Sequence, residues 1–426
     1  MSYLLRVVDQ ELDDLFSPDD GLAAVALEGP KAIGKTETAL RRAKTTFRLD
    51  DPGEVEILRA DPKRLTRGVR PILVDEWQRF PSSWDVVRRA VDRDRAGGQF
   101  LLTGSASPIE LPTHSGAGRI VTLRMRPLSM AERGLGAPTV SIAHLLQGGR
   151  PPVDGSSRIA LEHYAEEIVA SGFPAIRQLS PRARRVELDG YVERITERDF
   201  EEMGRRVRNE GALRRWMVAY AAATSTTASY EVIRDAATPG EGDKANKITL
   251  MGYRRVLEQL WIIDQVPAWL PTRNHLSRLG SAPRHHLADP ALAARLLGVD
   301  AGALIANAPV GPTIPRDGTL LGALFESLAV LSVRVYAQAS GARVGHLRTH
   351  SGEHDIDIIV ERDDGRIIAI EVKLAEVPDN RDVRHLAWLS EQLGTDLLDA
   401  VVITTGPEAY RRKDGIAVVP LALLGP

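Results

Sequence analysis

The stretch GPKAIGKTETAL, residues 29–40, reads as a loop that cradles phosphate. AAVALE (23–28) precedes it, a short apolar run suited to a buried parallel strand, and TETALRRA (36–43) follows as a helix. Strand, loop and helix are the context that the GxxxxGK[ST] spacing needs. Gly29 and Gly34 let the backbone curl its N–H groups around phosphate oxygens, and Pro30, Lys31, Ala32 and Ile33 complete the loop. The helix N-terminus adds partial positive charge. Lys35 would reach the β- and γ-phosphates of ATP, and Thr36 would place its hydroxyl on Mg²⁺.

Outward from the loop, PILVDEWQRFP (71–81) is a second apolar strand ending in Asp75 and Glu76. Carboxylates at that end of a parallel strand sit beside the phosphate loop. Asp75 would hold the Mg²⁺ shell and Glu76 would polarise the attacking water. GGQFLLTGSAS (97–107) is a third strand whose Thr103 and Ser105 can sense a γ-phosphate. GAGRIVTLRMRPLSMAERG (116–134) places Arg119 just before an alternating strand, where it could reach the γ-phosphate of its own site or a neighbour's. The neighbour's site would require a homo-oligomer. Arg124 and Arg126 alternate with apolar residues and are expected to face solvent.

GPKAIGKTETA, ILVDEWQRFP, FLLTGSAS and GRIVTLRMRPLS, in that order and spacing, resemble the ATPase core of a large prokaryotic AAA+ family. Its members carry a C-terminal domain of uncharacterised function. The resemblance is strong over residues 3–135 and implies a P-loop ATPase. The core departs from AAA+ motors in lacking the asparagine of their sensor strand.

The chain has 426 residues, too many for one core, so two or three domains are expected. No run of 18 apolar residues suggests a membrane span. The start, MSYLLRVVDQELDDLF, lacks the pattern of a signal peptide, and there is no cysteine for a disulfide or thiolate site. These features point to a cytoplasmic chain without a membrane partner. A formal net charge of −2 excludes a polycation, so any nucleic-acid surface must be local.

GALRRWMVAYAAATS (211–225), TASYEVIRDAAT (227–238) and KITLMGYRRVLEQLWIIDQVPAW (247–269) read as three helices, the last running into a strand. That is the outline of a winged helix-turn-helix. Its third helix would offer Lys247, Thr249, Tyr253, Arg254 and Arg255 to phosphates and base edges. His285 and His286, adjacent on a strand, point to opposite faces and make a poor metal pair. Upstream, the helix over 189–203 is a charged face, and Tyr191 and Arg198-Asp199 match a pattern of the family without an assigned role.

The rhythm changes near the end. LLGALFESLAVLSVRVYAQAS (320–340) is a long apolar helix carrying Glu326, and HDIDIIVER (354–362) and RIIAIEVKLAE (366–376) are strands joined by a turn at Asp364-Gly365. Asp355 and Asp357 share one strand face, as do Glu371 and Lys373. The hairpin brings Asp357 and Glu371 together, where Mg²⁺ would neutralise them and Lys373 would orient or deprotonate water. Glu326 would complete the site. The set resembles the D-(x)-E-x-K pattern of the restriction-endonuclease-like superfamily over residues 316–420. Asp355 is an additional carboxylate without an assigned place in that pattern.

The expected architecture is α/β. A P-loop AAA+ type parallel sheet with helices spans 1–135, and a helical lid or linker spans 136–205. A winged-helix-like module spans 206–285, and an α/β restriction-endonuclease-like domain spans 286–426. Two functions lead, and a pure protein-remodelling ATPase ranks last because no clear aromatic pore loop is legible. One is an ATPase that couples ATP and Mg²⁺ to a nuclease acting on nucleic acid, DNA in preference to RNA. The other is an ATP-switched nucleic-acid-binding regulator whose nuclease-like domain is a silent platform.

Overall fold

The computed structural model describes residues 3–426 apart from 107–115, 206, 208, 239–245, 271–281, 308–310, 313, 315–317 and 350–351. An N-terminal sheet is built from β1 (Ala24–Glu28), β2 (Thr45–Arg48), β3 (Ile72–Asp75), β4 (Phe100–Gly104) and β5 (Ile120–Arg124). Its order is β2-β3-β4-β1-β5 and every pair is parallel. Alternate side chains divide between two cores. Ala24, Ala26, Ile72, Val74, Phe100 and Leu102 face one core, shared with Trp84 and Val87 of the helix Ser82–Arg93. Val25, Leu27, Leu73, Leu101 and Leu123 face the other, which continues into the rest of the chain. Burial on both faces is why these strands read as unbroken apolar runs.

A short strand β6 (Val140–Ser141) follows. The second sheet is mixed: β7 (Arg343–Arg348), β8 (Asp355–Glu361), β9 (Ile367–Val372), β10 (Leu397–Thr404), β11 (Tyr410–Arg411) and β12 (Ala417–Pro420), in the order β11-β12-β10-β9-β8-β7. β7, β8 and β9 form an antiparallel meander, and β10 runs parallel to β9 and β12. The helix Arg384–Leu393 covers one face of this sheet through Leu386 and Leu389. The helix Leu320–Ala339 covers the other. A last strand β13 (Leu424–Gly425) returns to pair with β6.

The helix Leu320–Ala339 has the length and apolar character to cross a membrane, yet 72% of that stretch is buried inside the protein. It clamps the two sheets together. Its Ser332 hydroxyl accepts from the Met130 backbone N–H at 3.0 Å, and its Tyr336 hydroxyl accepts from that of Ala131 at 2.9 Å.

Between the sheets lie Glu210–Ala222, Tyr230–Ala237 and Lys247–Gln259, each opened by a side-chain cap from Asn209, Ser229 and Asn246. The chain then reverses. Residues 262–266 pair antiparallel with 284–288, with Val266 and Arg284 exchanging both backbone bonds at 3.0 and 2.9 Å. Three helices and a two-stranded ribbon are thus present in the expected order. The first ribbon strand runs on to lie beside β7, where Trp269 N–H donates to His346 O at 2.6 Å. This joint inserts the ribbon into the C-terminal half.

Candidate functional site

The phosphate loop closes between β1 and the helix Lys35–Leu40. A Cβ on Gly29 would lie 2.1 Å from the Met125 carbonyl oxygen, so only glycine passes there. Gly34, at φ +94°, turns the chain into the helix. β4 lies between β1 and β3, which places Thr103 between the loop and the carboxylates. Thr36 donates to Asp75 Oδ1 at 2.8 Å, and the Thr103 hydroxyl bonds the same oxygen. The Ser105 hydroxyl donates to Glu76 Oε2 at 3.0 Å, and Gln78 donates to that oxygen too. Thr103 and Ser105 are therefore committed to orienting the carboxylates. Glu76 itself sits at φ 56°, a left-handed backbone that costs a non-glycine residue about 1 kcal/mol or more.

Lys35 is 5% exposed and donates to the loop carbonyls of Gly29 and Pro30 at 3.0 and 2.7 Å. Burial pulls its pKa down to about 8, against the attraction of Glu76 and Asp75. A triphosphate in the loop would supply the anionic neighbours that restore the ammonium form.

Three residues around the loop, Arg6, Glu132 and Glu202, carried no sequence signal. Arg6 donates to Ile33 O at 2.9 Å and pairs with Glu132 at 3.0 Å, bracing the loop from beneath. Lys31 reaches out to Asp199 at 2.7 Å and Glu202 at 3.0 Å, and the Tyr191 hydroxyl donates to Lys31 O at 3.3 Å. The helix Pro181–Arg194 and the π-helical turn Ile195–Asp199 thus latch onto the loop, which gives the Tyr191 and Arg198-Asp199 pattern a place.

Arg119 lies elsewhere. Ile120 pairs with Ala24, the first residue of β1, whereas the phosphate loop leaves from the last. Arg119 is therefore roughly 15 Å away along the strands, at the opposite end of the sheet. It pairs there with Asp92 at 2.8 Å. The reading in which Arg119 serves its own site is corrected by the parallel register.

Arg124 and Arg126 do not face solvent as expected. Arg124, level with Glu28 on β1, stacks over Trp261 at 3.9 Å and lies 3.4 Å from Asp264. Arg126 and Arg334 bond the same carboxylate at 2.9 and 3.1 Å. Burial lowers Arg124 to about 10 and Arg334 to about 9. Burial works against Asp264 as well, but the three guanidiniums hold it far below the usual carboxylate range. This buried knot joins β5, the ribbon and the long helix.

The C-terminal carboxylates converge as the hairpin spacing implied. They line a cleft of about 960 Å³. Asp357 Oδ2 accepts from the Val372 N–H at 2.8 Å, and Lys373 Nζ lies 2.9 Å from Glu371 Oε2. Glu371 is 1% exposed. Burial, then Asp357, raises its pKa well above the usual range.

Arg284 changes the reading of this cluster. Its Nη1 lies 2.7 Å from both Glu326 Oε1 and Asp357 Oδ1, and its Nη2 bonds Asp355. Burial raises Glu326 to about 8, Arg284 notwithstanding, whereas Arg284 and Lys373 hold Asp357 below the usual range despite its burial. A guanidinium stands between Asp357 Oδ1 and Glu326 Oε1. Among the described residues no group of three or more acidic or histidine side chains is arranged to hold a metal ion. Arg284 and Lys373 thus neutralise Asp357 within the fold.

The helix Lys247–Gln259 also differs from expectation. Tyr253 is 8% exposed and packs on Phe200, and Arg254 is held by Glu258 at 2.6 Å and stacked over Tyr230 at 4.4 Å. Tyr253 is committed to packing, and Arg254, its side chain half-buried, to Glu258 and Tyr230. Lys247, Thr249 and Arg255 remain on the exposed face. His285 and His286 are buried, as expected of structural residues, with His285 bonded to Ala228 O at 2.7 Å.

Comparison with known proteins gives three family matches. Residues 161–303 and 321–424 each match a family described as a domain of unknown function, DUF8612 and DUF4143. Residues 23–133 match a family described as an AAA domain. The chain is 26% identical over 404 residues to an uncharacterized protein of Mycobacterium tuberculosis, and equally to one of Mycobacterium bovis. In each case this covers 93% of this chain and 79% of the relative. Among solved structures, the Aeropyrum pernix ORC2 protein in ADPNP-ADP complexes is 14% identical, with a TM-score of 0.27 over 68% of this chain and 91% of that one. A score that low carries nothing further. Loop, carboxylate pair, strand order and the family match over residues 23–133 agree: the N-terminal unit is an ATP-binding P-loop domain of the AAA+ type.

Proposed function

We propose that this chain hydrolyses ATP and uses its nucleotide state to control a nuclease-like, nucleic-acid-acting C-terminal domain. The observation that carries the coupling is Asp264. It joins Arg124 and Arg126, beside the phosphate-loop strand, to the ribbon that delivers Arg284 into the acidic cleft. At the N-terminal site Thr36 and Asp75 would hold Mg²⁺, which neutralises phosphate charge when bound. Lys35 would bind the β- and γ-phosphates. Glu76, oriented by Ser105 and Gln78, would accept the proton of the attacking water. Glu76→Gln is expected to lower ATP turnover about 10²- to 10³-fold with nucleotide affinity unchanged. Equal turnover in a phosphate-release assay would move the base elsewhere.

Nucleic acid, DNA in preference to RNA, would meet the exposed Lys247, Thr249 and Arg255 of a winged-helix module and the cleft of Asp357, Glu371, Lys373 and Glu326. Arg119, half-buried at the far end of the sheet and paired with Asp92, could serve only a neighbour's site, in a homo-oligomer. A second reading, a silent nucleic-acid platform, is favoured by Arg284 alone.

The test is cleavage of labelled single- and double-stranded DNA and RNA with Mg²⁺ or Mn²⁺, with and without ATP. ATP-dependent cleavage that is lost in Asp357→Ala supports the first reading. Salt-sensitive binding altered by ATP, without cleavage, supports the platform. Neither would reject both.

A further inference from the structure

We propose that Arg284 is a tethered cation that closes the acidic cleft, so that its guanidinium and a divalent metal ion are mutually exclusive partners of Asp357 and Glu326. The proposal rests on the nuclease-like reading of the cleft and states how that site is regulated.

Stoichiometry is the first support. One guanidinium, 4% exposed, serves three carboxylates, those of Glu326, Asp355 and Asp357. Surface ion pairs are usually one-to-one and wet. Buried acids without a cation cost several kcal/mol, so some cation must stand here. Arg348 also reaches Asp355, at 3.3 Å, and Lys373 stands against Glu371, so it is Glu326 and Asp357 that share the one guanidinium at 2.7 Å each.

The origin of the cation is the second. Arg284 lies within the 161–303 family segment and the carboxylates within the 321–424 segment, so closure is a contact between two modules. The closing strand is short, held by its pairing with residues 262–266 and by the bonds of the His285 backbone to Ser225 and Thr226. Unmet polar atoms are the third. Among the described residues, both ring nitrogens of His286 and Nε of Arg284 are buried without a hydrogen-bond partner in this register. Buried polar atoms left unpaired are a cost of this register. The opposite ribbon strand holds Asp264 against Arg124 and Arg126, and Arg124 lies level with the end of the phosphate-loop strand.

The experiment is calorimetric titration of Mn²⁺ into the full chain without nucleotide. Arg284→Gln is expected to show a site at least about ten-fold tighter than any in the wild type. That site should be absent from the double variant Arg284→Gln/Asp357→Asn. Equal Mn²⁺ affinity in the wild type and a folded Arg284→Gln overturns the proposal. Should Arg284→Gln fail to fold by circular dichroism, Arg284→Lys replaces it. It keeps the charge but loses the fork, and a rise of about three-fold or more is expected. No rise there also overturns the proposal. Metal gained without cleavage would uphold the closed site and reject the nuclease. Cleavage by the wild type at a rate Arg284→Gln does not raise would do the reverse.

Discussion

Lys35→Met is expected to lower ATP affinity at least about 100-fold and to leave the nucleotide-free chain as stable as the wild type, or more so. Methionine keeps most of the volume of the buried stem and removes the ammonium. Charge-assisted bonds to two phosphates contribute about 1.5–3 kcal/mol each, enough for the affinity loss. Stability runs the other way. The folded pKa of Lys35 is lowered from 10.5 to about 8, so at neutral pH the fold holds an ammonium that the unfolded chain would solvate better. The penalty is on the order of 3 kcal/mol, offset in part by the bonds to Gly29 and Pro30 carbonyls. A group with a depressed folded pKa of this kind makes stability rise with pH between about 8 and 10.5. Lys35→Met should lack that rise. Titration with ATP and thermal melts from pH 7 to 10 check both halves. Full ATP affinity would sink the phosphate-loop assignment, and a melt several degrees lower at neutral pH would sink the account of the buried charge.

Asp264→Ala is expected to destabilise the chain by about 3–5 kcal/mol, because three buried guanidiniums lose their shared counter-ion. The same carboxylate sets an acid limit. Its folded pKa lies far below the ordinary 3.8, so its contribution is fully present above that value and is lost as pH falls beneath it. Asp264→Asn should flatten the wild-type loss of stability below pH 4. Denaturant unfolding at pH 7 and pH 3 reads both. A variant of unchanged stability would show that Arg124, Arg126 and Arg334 need no common anion.

How far the sequence reached depended on how local each site is. Gly29 to Thr36 are contiguous, so strand, loop and helix could be read in one pass. Asp357, Glu371 and Lys373 were legible because a hairpin has period two and a fixed turn, which converts spacing into proximity. Tyr253 and Arg254 were misread because helix 247–259 gives no sign of which face its neighbours will cover. Arg124 and Arg126 were misread for a related reason: alternation marks two faces of a strand and not which of them meets water.

Residue order alone determined the apolar strands that carry both sites, the phosphate loop and the pairing of acids with Lys373. Only the tertiary structure decided that Thr103 stands between loop and carboxylates, because strand insertion is not a property of either strand. It alone brought Asp264 to three arginines, and Arg284 to three acids as many as 73 residues further along the chain. Such contacts have no period and no motif. They form because a buried charge must find its opposite wherever the fold brings one within reach.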